Sequence, residues 1–195
     1  MAILLVIGAL ASGCSQGNFD PSGPCTADGR AAGAYPELEA LVPRDFRDRP
    51  PDGVDSGRNC TTTALGTLAL HEVSELRFAG GIWELGSSSG VTLAIFNAPR
   101  GAPGLQAAWM AEFFEAGARA ARRVESVDAR SIVLPDGAAA SRIDALNGES
   151  YQTVVVWPDG ERVWAAIVAS FIREVSTKEA HDEVVTDAIA AALDR

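Results

Sequence analysis

The stretch that decides the fold runs from Tyr151 to Ser170 and reads YQTVVVWPDGERVWAAIVAS. Two runs rich in β-branched and aromatic residues flank Pro158-Asp159-Gly160, where Pro fixes φ and Gly accepts a positive φ, so the pattern predicts a β-hairpin. The first run, Thr153 to Trp157, is β-branched or aromatic at every position and carries no charge. We therefore expect a central strand with both of its faces covered.

Further strands are expected on both sides of this hairpin in the chain. An earlier hairpin is predicted over 76–85 and 91–98, joined by Gly86-Ser87-Ser88-Ser89-Gly90, with Gly80-Gly81 marking a bulge or a close backbone approach. Two more strands are predicted over 127–134 and 138–146. Residues 44–59 interleave arginines with aspartates around two prolines, which is typical of a solvated loop.

Helices are predicted over 61–72, over 105–123 and from Ser176 to about Leu193, with a short helical turn over 35–42. The best of them has an apolar 3.6-residue period at Leu105, Trp109, Phe113, Ala116 and Ala120. Strands joined by tight turns form an antiparallel sheet. The predicted fold class is therefore α+β, with a curved antiparallel sheet of about six strands and helices packed on one face.

Composition limits the class of partner. The chain has 195 residues, is 47% hydrophobic and carries a formal net charge of −10. This length favours one domain. The acidic balance argues against a nucleic-acid partner and against binding to anionic lipid surfaces, because both require clustered Lys and Arg.

The N-terminus begins with an apolar run of about a dozen residues that ends at Ser12-Gly13-Cys14, which is the length of a signal-peptide core. Ser12-Gly13-Cys14 resembles the lipobox of bacterial lipoprotein precursors. The resemblance implies a signal peptide over 1–13, a lipid on Cys14 that attaches the protein to a bacterial membrane outside the cytoplasm, a flexible tether over 14–34 and a single domain over 35–195. A cleaved secreted protein and a buried cytosolic segment are the alternatives.

Two cysteines remain, Cys25 and Cys60. In an oxidising compartment an even pair favours a disulfide. The alternative is a pair of metal-binding thiolates, but there is no C-x-x-C motif and the chain has two histidines. We therefore predict a disulfide, no metal and no cofactor.

The order of predicted elements is α-β-β-α-β-β-β-β-α. Over 76–193 it is similar to the Mog1/PsbP-like arrangement, in which a curved antiparallel sheet carries helices. The stretch Leu38-Glu39-Ala40-Leu41-Val42-Pro43 also resembles the opening of small uncharacterised bacterial lipoproteins.

Candidate catalytic residues are few. Ser88 lies in a G-x-S-x-G match, Gly86 to Gly90, but a strand follows where a nucleophile elbow requires a helix. His71 is the histidine that a Ser88 hydrolase would need, although a helix C-terminus explains it more simply. His181 follows the start of the last helix beside two acids and is expected at the surface.

Tryptophans provide the positive binding signal. Trp83, Trp157 and Trp164 fall on predicted strands, where core packing is the simpler role. If one sheet face were open, they would instead form an aromatic platform for a protein, peptide or sugar. The leading hypothesis is a lipid-anchored extracytoplasmic binding module without catalytic activity, which binds through this platform and the loop over 86–90. A small serine hydrolase using Ser88 and His71, and a purely structural envelope lipoprotein, are the alternatives.

Overall fold

The computed structural model describes residues 19–99, 101–102, 104–175 and 177–194. Its strands are β1 (Gly29–Ala31), β2 (Gly53–Asn59), β3 (Leu76–Glu84), β4 (Gly90–Asn97), β5 (Ser126–Val133), β6 (Ala139–Leu146), β7 (Ser150–Asp159) and β8 (Arg162–Phe171). Its helices are α1 (Pro36–Glu39), α2 (Thr62–Leu65), a 3₁₀ helix (Gly66–His71), α3 (Ala107–Ala120), α4 (Ile172–Val175) and α5 (Lys178–Leu193).

The described strands form one antiparallel sheet in the order β1-β2-β3-β4-β8-β7-β6-β5. The class is α+β as expected, but the prediction of about six strands is wrong, because the sheet has eight. The two additional strands, β1 and β2, lie in stretches expected to be tether and solvated loop. β2 pairs with β3 over seven residues. Its polar Ser56, Arg58 and Asn59 are buried, so backbone pairing and specific polar contacts form this strand where an apolar pattern is lacking.

The hairpin over 151–170 is confirmed as β7 and β8 near the middle of the sheet. Its turn lies later than predicted. Pro158 still pairs with Val163, and Asp159 pairs with Arg162, so the two-residue connection is Gly160-Glu161. Gly160 supplies the positive φ, 63°. The prediction that Gly accepts the left-handed conformation was correct, while the position assigned to Pro was wrong.

Helices cover both faces of the sheet, and the prediction of one covered face is therefore wrong. On β4, Leu93 and Ile95 belong to the cluster that α5 completes, whereas Ala94 and Phe96 belong to the cluster of α3. Successive strand residues point to opposite faces, so α5 and α3 lie on opposite sides. The uninterrupted apolar runs of the central strands require this arrangement, since neither face could be left in water.

The segment over 19–34 is folded onto β2. The buried guanidinium of Arg58 donates hydrogen bonds to four backbone oxygens, those of Asp20, Pro21, Gly23 and Pro24, at 2.8–3.3 Å. The predicted disulfide between Cys25 and Cys60 is confirmed, with the two Cα atoms 5.4 Å apart. These contacts hold the chain against the domain from residue 19 onward. Cys14 lies outside the described residues.

Candidate ligand cavity on the sheet

The three strand tryptophans lie in the core. Trp83, Trp157 and Trp164 have exposed fractions of 1%, 2% and 0%, so the expected aromatic platform is wrong. They belong to the cluster that α1 and α5 cover. The indole rings of Trp157 and Trp164 stack with centroids 6.2 Å apart, and Trp83 donates to the backbone oxygen of Arg49 at 2.9 Å. Their role is packing.

Ser88 and His71 lie at opposite ends of β3, which spans about 26 Å at ~3.3 Å per residue. His71 contacts Oε2 of Glu112 at 2.7 Å and stacks on Trp109 with centroids 4.8 Å apart. The hydroxyls next to Ser88, those of Ser87 and Ser89, donate to Glu174 instead. The hydrolase alternative therefore lacks its nucleophile–base contact.

A cavity of about 310 Å³ lies on the sheet face that also carries α3. Along β4 the side chains of Ala94 and Phe96 pack in the α3 cluster, and Phe96 contacts Phe114 with ring centroids 6.0 Å apart. Earlier on the same face of this strand, Gly90 and Thr92 line the cavity instead. Since α3 packs against one end of these strands, the other end of this face is left uncovered by α3 and forms the cavity.

The cavity lining is mainly apolar with a few polar groups. The residues that line it are Ile82, Trp83, Glu84, Gly86, Ser87, Ser89, Gly90, Val91, Thr92, Gln152, Thr153, Val154, Ile167, Val168 and Ala169. Thr92 is 8% exposed, and its hydroxyl has no hydrogen-bond partner among the described residues. The amide nitrogen of Gln152 donates to Ser150 at 3.3 Å, while its oxygen accepts no hydrogen bond from the described part of the chain. Pockets of this size, apolar with a few polar groups, are typical of small-molecule sites.

The loop at the mouth of the cavity is fixed by Glu174 in α4. The hydroxyls of Ser87, at 2.8 Å, and of Ser89 donate to its carboxylate. The hydroxyl of Ser89 also accepts from the backbone N–H of Phe171 at 2.9 Å. Because the serine hydroxyls favour the charged form, the pKa of Glu174 lies below its ordinary value. The mouth is therefore ordered and negatively charged.

The adjacent glycines of β3 have different structural reasons. A Cβ on Gly81 would lie 2.8 Å from both Trp83 and Val42, so the close approach of the segment after α1 requires glycine there. A Cβ on Gly80 would meet Ala94 at 3.5 Å and Thr92 at 3.6 Å, which is ordinary contact. The register of β3 continues without a bulge through both residues. Packing therefore explains Gly81 and leaves Gly80 unexplained.

A polar network that the sequence analysis missed lies under α5, on the opposite sheet face. His181 was expected at the surface but is 0% exposed. Its Nε2 lies 2.8 Å from the hydroxyl of Thr153, and its Nδ1 lies 2.8 Å from that of Ser170. The hydroxyl of Thr153 donates to Asp144 at 2.5 Å. Because that proton is committed to the carboxylate, Thr153 accepts from Nε2–H, and Nδ1 accepts from Ser170.

The charged groups around Asp144 determine the protonation states in this network. Burial alone would raise the pKa of Asp144, but hydrogen bonds from Arg142 and Thr153 outweigh burial and lower it to about 2. Burial, followed by the positive charge of Lys178, lowers the pKa of His181 to about 4. The imidazole is thus neutral at pH 7. Ser170 is fully buried, so the Ser170–His181 pair has no access to a substrate and serves to hold α5 on the sheet.

The spacing in α5 could have indicated the burial of His181. The described helix buries Val184, Val185, Ala188 and Ala192, and His181 precedes Val185 by four residues and Val184 by three. The charged neighbours Asp182 and Glu183 obscured that position. The cavity had no such signal, because it depends on where α3 ends and on which side chains are small.

Among the described residues, no group of three or more His, Cys, Asp or Glu side chains is arranged to hold a metal ion. No described helix has both the length and the apolar character needed to cross a membrane.

Comparisons with known proteins return a weak structural likeness. No protein-family model matches the chain, and no curated protein matches it. A solved structure, the solution structure of cyanobacterial PsbP (CyanoP) from Synechocystis sp. PCC 6803, matches over 88% of this chain and 96% of that chain, with 14% identity and a TM-score of 0.39. A likeness of this size carries no argument about fold or function.

Proposed function

We propose that this chain is an extracytoplasmic binding module that holds a small, mainly apolar ligand in the cavity on its sheet. The observation that carries the proposal is the cavity of about 310 Å³, with apolar walls and a Thr92 hydroxyl that has no partner among the described residues. The hydroxyl is not one of the fully buried unpartnered atoms of the described chain, so it is open to the cavity and can still take a hydrogen-bond partner. A ligand with one hydroxyl or carbonyl group would supply it.

The compartment is part of the same proposal. The Cys25–Cys60 disulfide is consistent with an oxidising location outside the cytoplasm. A lipid on Cys14, expected from the Ser12-Gly13-Cys14 sequence, would attach the module to a membrane. The intact mass of the protein from native membranes tests this directly, because acylation adds the mass of the lipid and the disulfide removes the mass of two hydrogen atoms.

The groups at the cavity support a binding role without catalysis. Thr92 and Gln152 can orient a ligand by hydrogen bonding, and the serines at the mouth donate to Glu174. Because the pKa of Glu174 is lowered, this carboxylate is a poorer proton acceptor than an ordinary glutamate. The site is thus suited to holding a molecule.

The test is a fluorescence titration with N-phenyl-1-naphthylamine, a neutral apolar dye, on the full chain carrying Cys14→Ser, which removes the acylation site. We expect saturable one-to-one binding, weakened at least tenfold by Thr92→Leu, whose larger side chain enters the cavity. Thr92→Ser should bind like the parent chain. Thr63→Leu, which makes the same exchange on the exposed surface of α2, is the matched control.

Absence of saturable binding by the dye would contradict the proposal and favour a structural envelope role. Equal binding by the Thr92→Leu chain would also contradict it, because the dye would then occupy another surface.

A further inference from the structure

We propose that the ligand of this cavity is an elongated amphiphile with one anionic end group, such as a long-chain carboxylate, whose apolar body fills the cavity and whose anionic end binds Arg30. This inference rests on the proposed function and specifies the ligand class. Three features support it: a continuation of the cavity, an available guanidinium and an asymmetric distribution of charge.

The cavity continues toward β1. A smaller cavity is lined by Arg30, Asp55, Phe78, Gly80, Ile82, Thr92 and Ala94, and Ile82 and Thr92 also line the main cavity. The two spaces therefore adjoin across β4 and β3. From β4 to β1 the sheet extends over three strand spacings, about 14 Å, which suits an elongated molecule.

Gly80 lies on the floor of this continuation. Its missing side chain is not required by packing, since a Cβ there would make only ordinary contacts. A glycine inside a strand costs about 0.5–1 kcal/mol relative to alanine. Strand glycines often mark sites that a ligand or another backbone approaches closely. Above Gly80, a narrow space of about 20 Å³ lies between Thr92 and Arg30.

Arg30 has donors available for an anion. Its Nε forms an ion pair with Oδ2 of Asp55 at 3.5 Å, and its side chain is 36% exposed. Its two terminal nitrogens donate no hydrogen bond to any residue in the described part of the chain. A guanidinium presents paired N–H groups that match both oxygens of a carboxylate.

The charges along the cavity set the orientation of the ligand. Glu84 lines the end opposite Arg30, and the carboxylate of Glu174 holds the loop there. Arg49 also lies at that end, where it donates to the backbone oxygen of Glu84 at 3.2 Å and pairs with Asp52, so the carboxylates there outnumber the cation. An anionic group is therefore disfavoured at that end and attracted to Arg30. Asp55 opposes the attraction. Burial raises the pKa of Asp55 and the charge of Arg30 offsets this in part, so this carboxylate is held at some cost in its charged form.

The experiment is competition for the dye site by three probes with the same twelve-carbon chain: dodecanoate, dodecanol and dodecyltrimethylammonium. It is run on the full Cys14→Ser chain at pH 7.5 and 0.15 M salt, because the net charge of −10 repels anions at low ionic strength. We expect dodecanoate to displace the dye at least tenfold more strongly than dodecanol, and the cation to be weakest.

Variants assign the preference to Arg30. Arg30→Gln should weaken the binding of dodecanoate about tenfold and leave the binding of dodecanol unchanged. The affinity of Arg30→Lys for dodecanoate should fall between those of the parent chain and Arg30→Gln. Asp55→Asn should strengthen dodecanoate severalfold. Arg119→Gln, which removes an exposed arginine of α3 paired with Glu115, is the control and should change neither probe. Unchanged dye binding shows that each variant is folded.

The outcomes separate the two proposals. If the dye binds and dodecanol matches dodecanoate, or the cation binds best, the anionic ligand class is wrong and the binding module stands. The anionic ligand class is also wrong if Arg30→Gln and Arg119→Gln behave alike. If none of the probes binds, the binding proposal fails and this inference fails with it.

Discussion

Acidification should destabilise this protein through the buried His181. Its pKa in the folded protein is about 4, and that of the unfolded chain lies near the ordinary value of 6.5. Between these values the unfolded chain binds a proton that the folded protein does not, so stability falls as the pH falls. The stabilisation that the neutral His181 provides is complete above pH 6.5 and is lost as the pH falls toward 4. The loss amounts to about 2 kcal/mol at pH 5 and about 3 kcal/mol at pH 4.

Urea denaturation at pH 7, 6, 5.5 and 5 measures this loss. The parent chain is compared with His181→Gln, which does not titrate, so carboxylates that titrate in both proteins cancel in the difference. We expect His181→Gln to be less stable than the parent chain at pH 7, because the contacts with Thr153 and Ser170 are weakened. The difference in free energy of unfolding between the two chains should shrink by about 2 kcal/mol at pH 5. His71→Gln shows whether the other histidine contributes to the slope.

A His181→Gln chain that keeps the full pH dependence of the parent would refute the reasoning. So would stability that rises as the pH falls from 6.5 to 5, because the sign would then require a folded-state pKa above the unfolded value.

Three further outcomes are expected. Cys60→Ser should lower the free energy of unfolding by about 4 kcal/mol, since a loop of this length loses that much closure entropy in the chain-entropy model; an unchanged urea midpoint would contradict this. Arg58→Lys cannot reproduce the donors to four backbone oxygens, so it should cost about 2 kcal/mol and speed proteolysis near residue 19; wild-type resistance to chymotrypsin would count against it. Trp164→Ala should cost about 3–5 kcal/mol as a core truncation, measured by thermal unfolding; a change within about 0.5 kcal/mol would mean that the indole is exposed.

The central hairpin could be predicted because its own residues determine it. Thr153 to Trp157 are β-branched or aromatic at every position and carry no charge, so both faces of this run require cover, and no other segment is needed to see this. The prediction that both faces of this strand are covered is confirmed. The predicted arrangement of the whole sheet, with helices on one face only, is wrong.

Polar strands could not be predicted in the same way. β2 contains Asp55, Gly57 and Asn59, and its stability depends on β3 beside it and on the segment that Arg58 binds. A strand of this kind has no apolar alternation of its own. The number of strands was underestimated for this reason.

The buried face of α3 was predicted one residue out of register. The expected face contained Trp109 and Phe113, whereas the described helix buries Met110, Phe114 and Ala118. Both sets follow the helical period, and one residue corresponds to a rotation of about 100°. In the structure Phe114 contacts Phe96 within the cluster, whereas Trp109 and Phe113 are only partly buried against that cluster.

The hydrogen bonds of Arg58 would limit how far the domain stands from a bilayer if the chain were lipid-anchored. If Cys14 is acylated, four residues separate it from Phe19, whose ring contacts the guanidinium of Arg58, and five fully extended Cα–Cα steps cover about 18 Å. The flexible tether over 14–34 that the sequence predicted would instead span about 70 Å when fully extended. The lipid headgroups would then lie close to the protein. A ligand of the cavity would therefore be bound at the membrane surface.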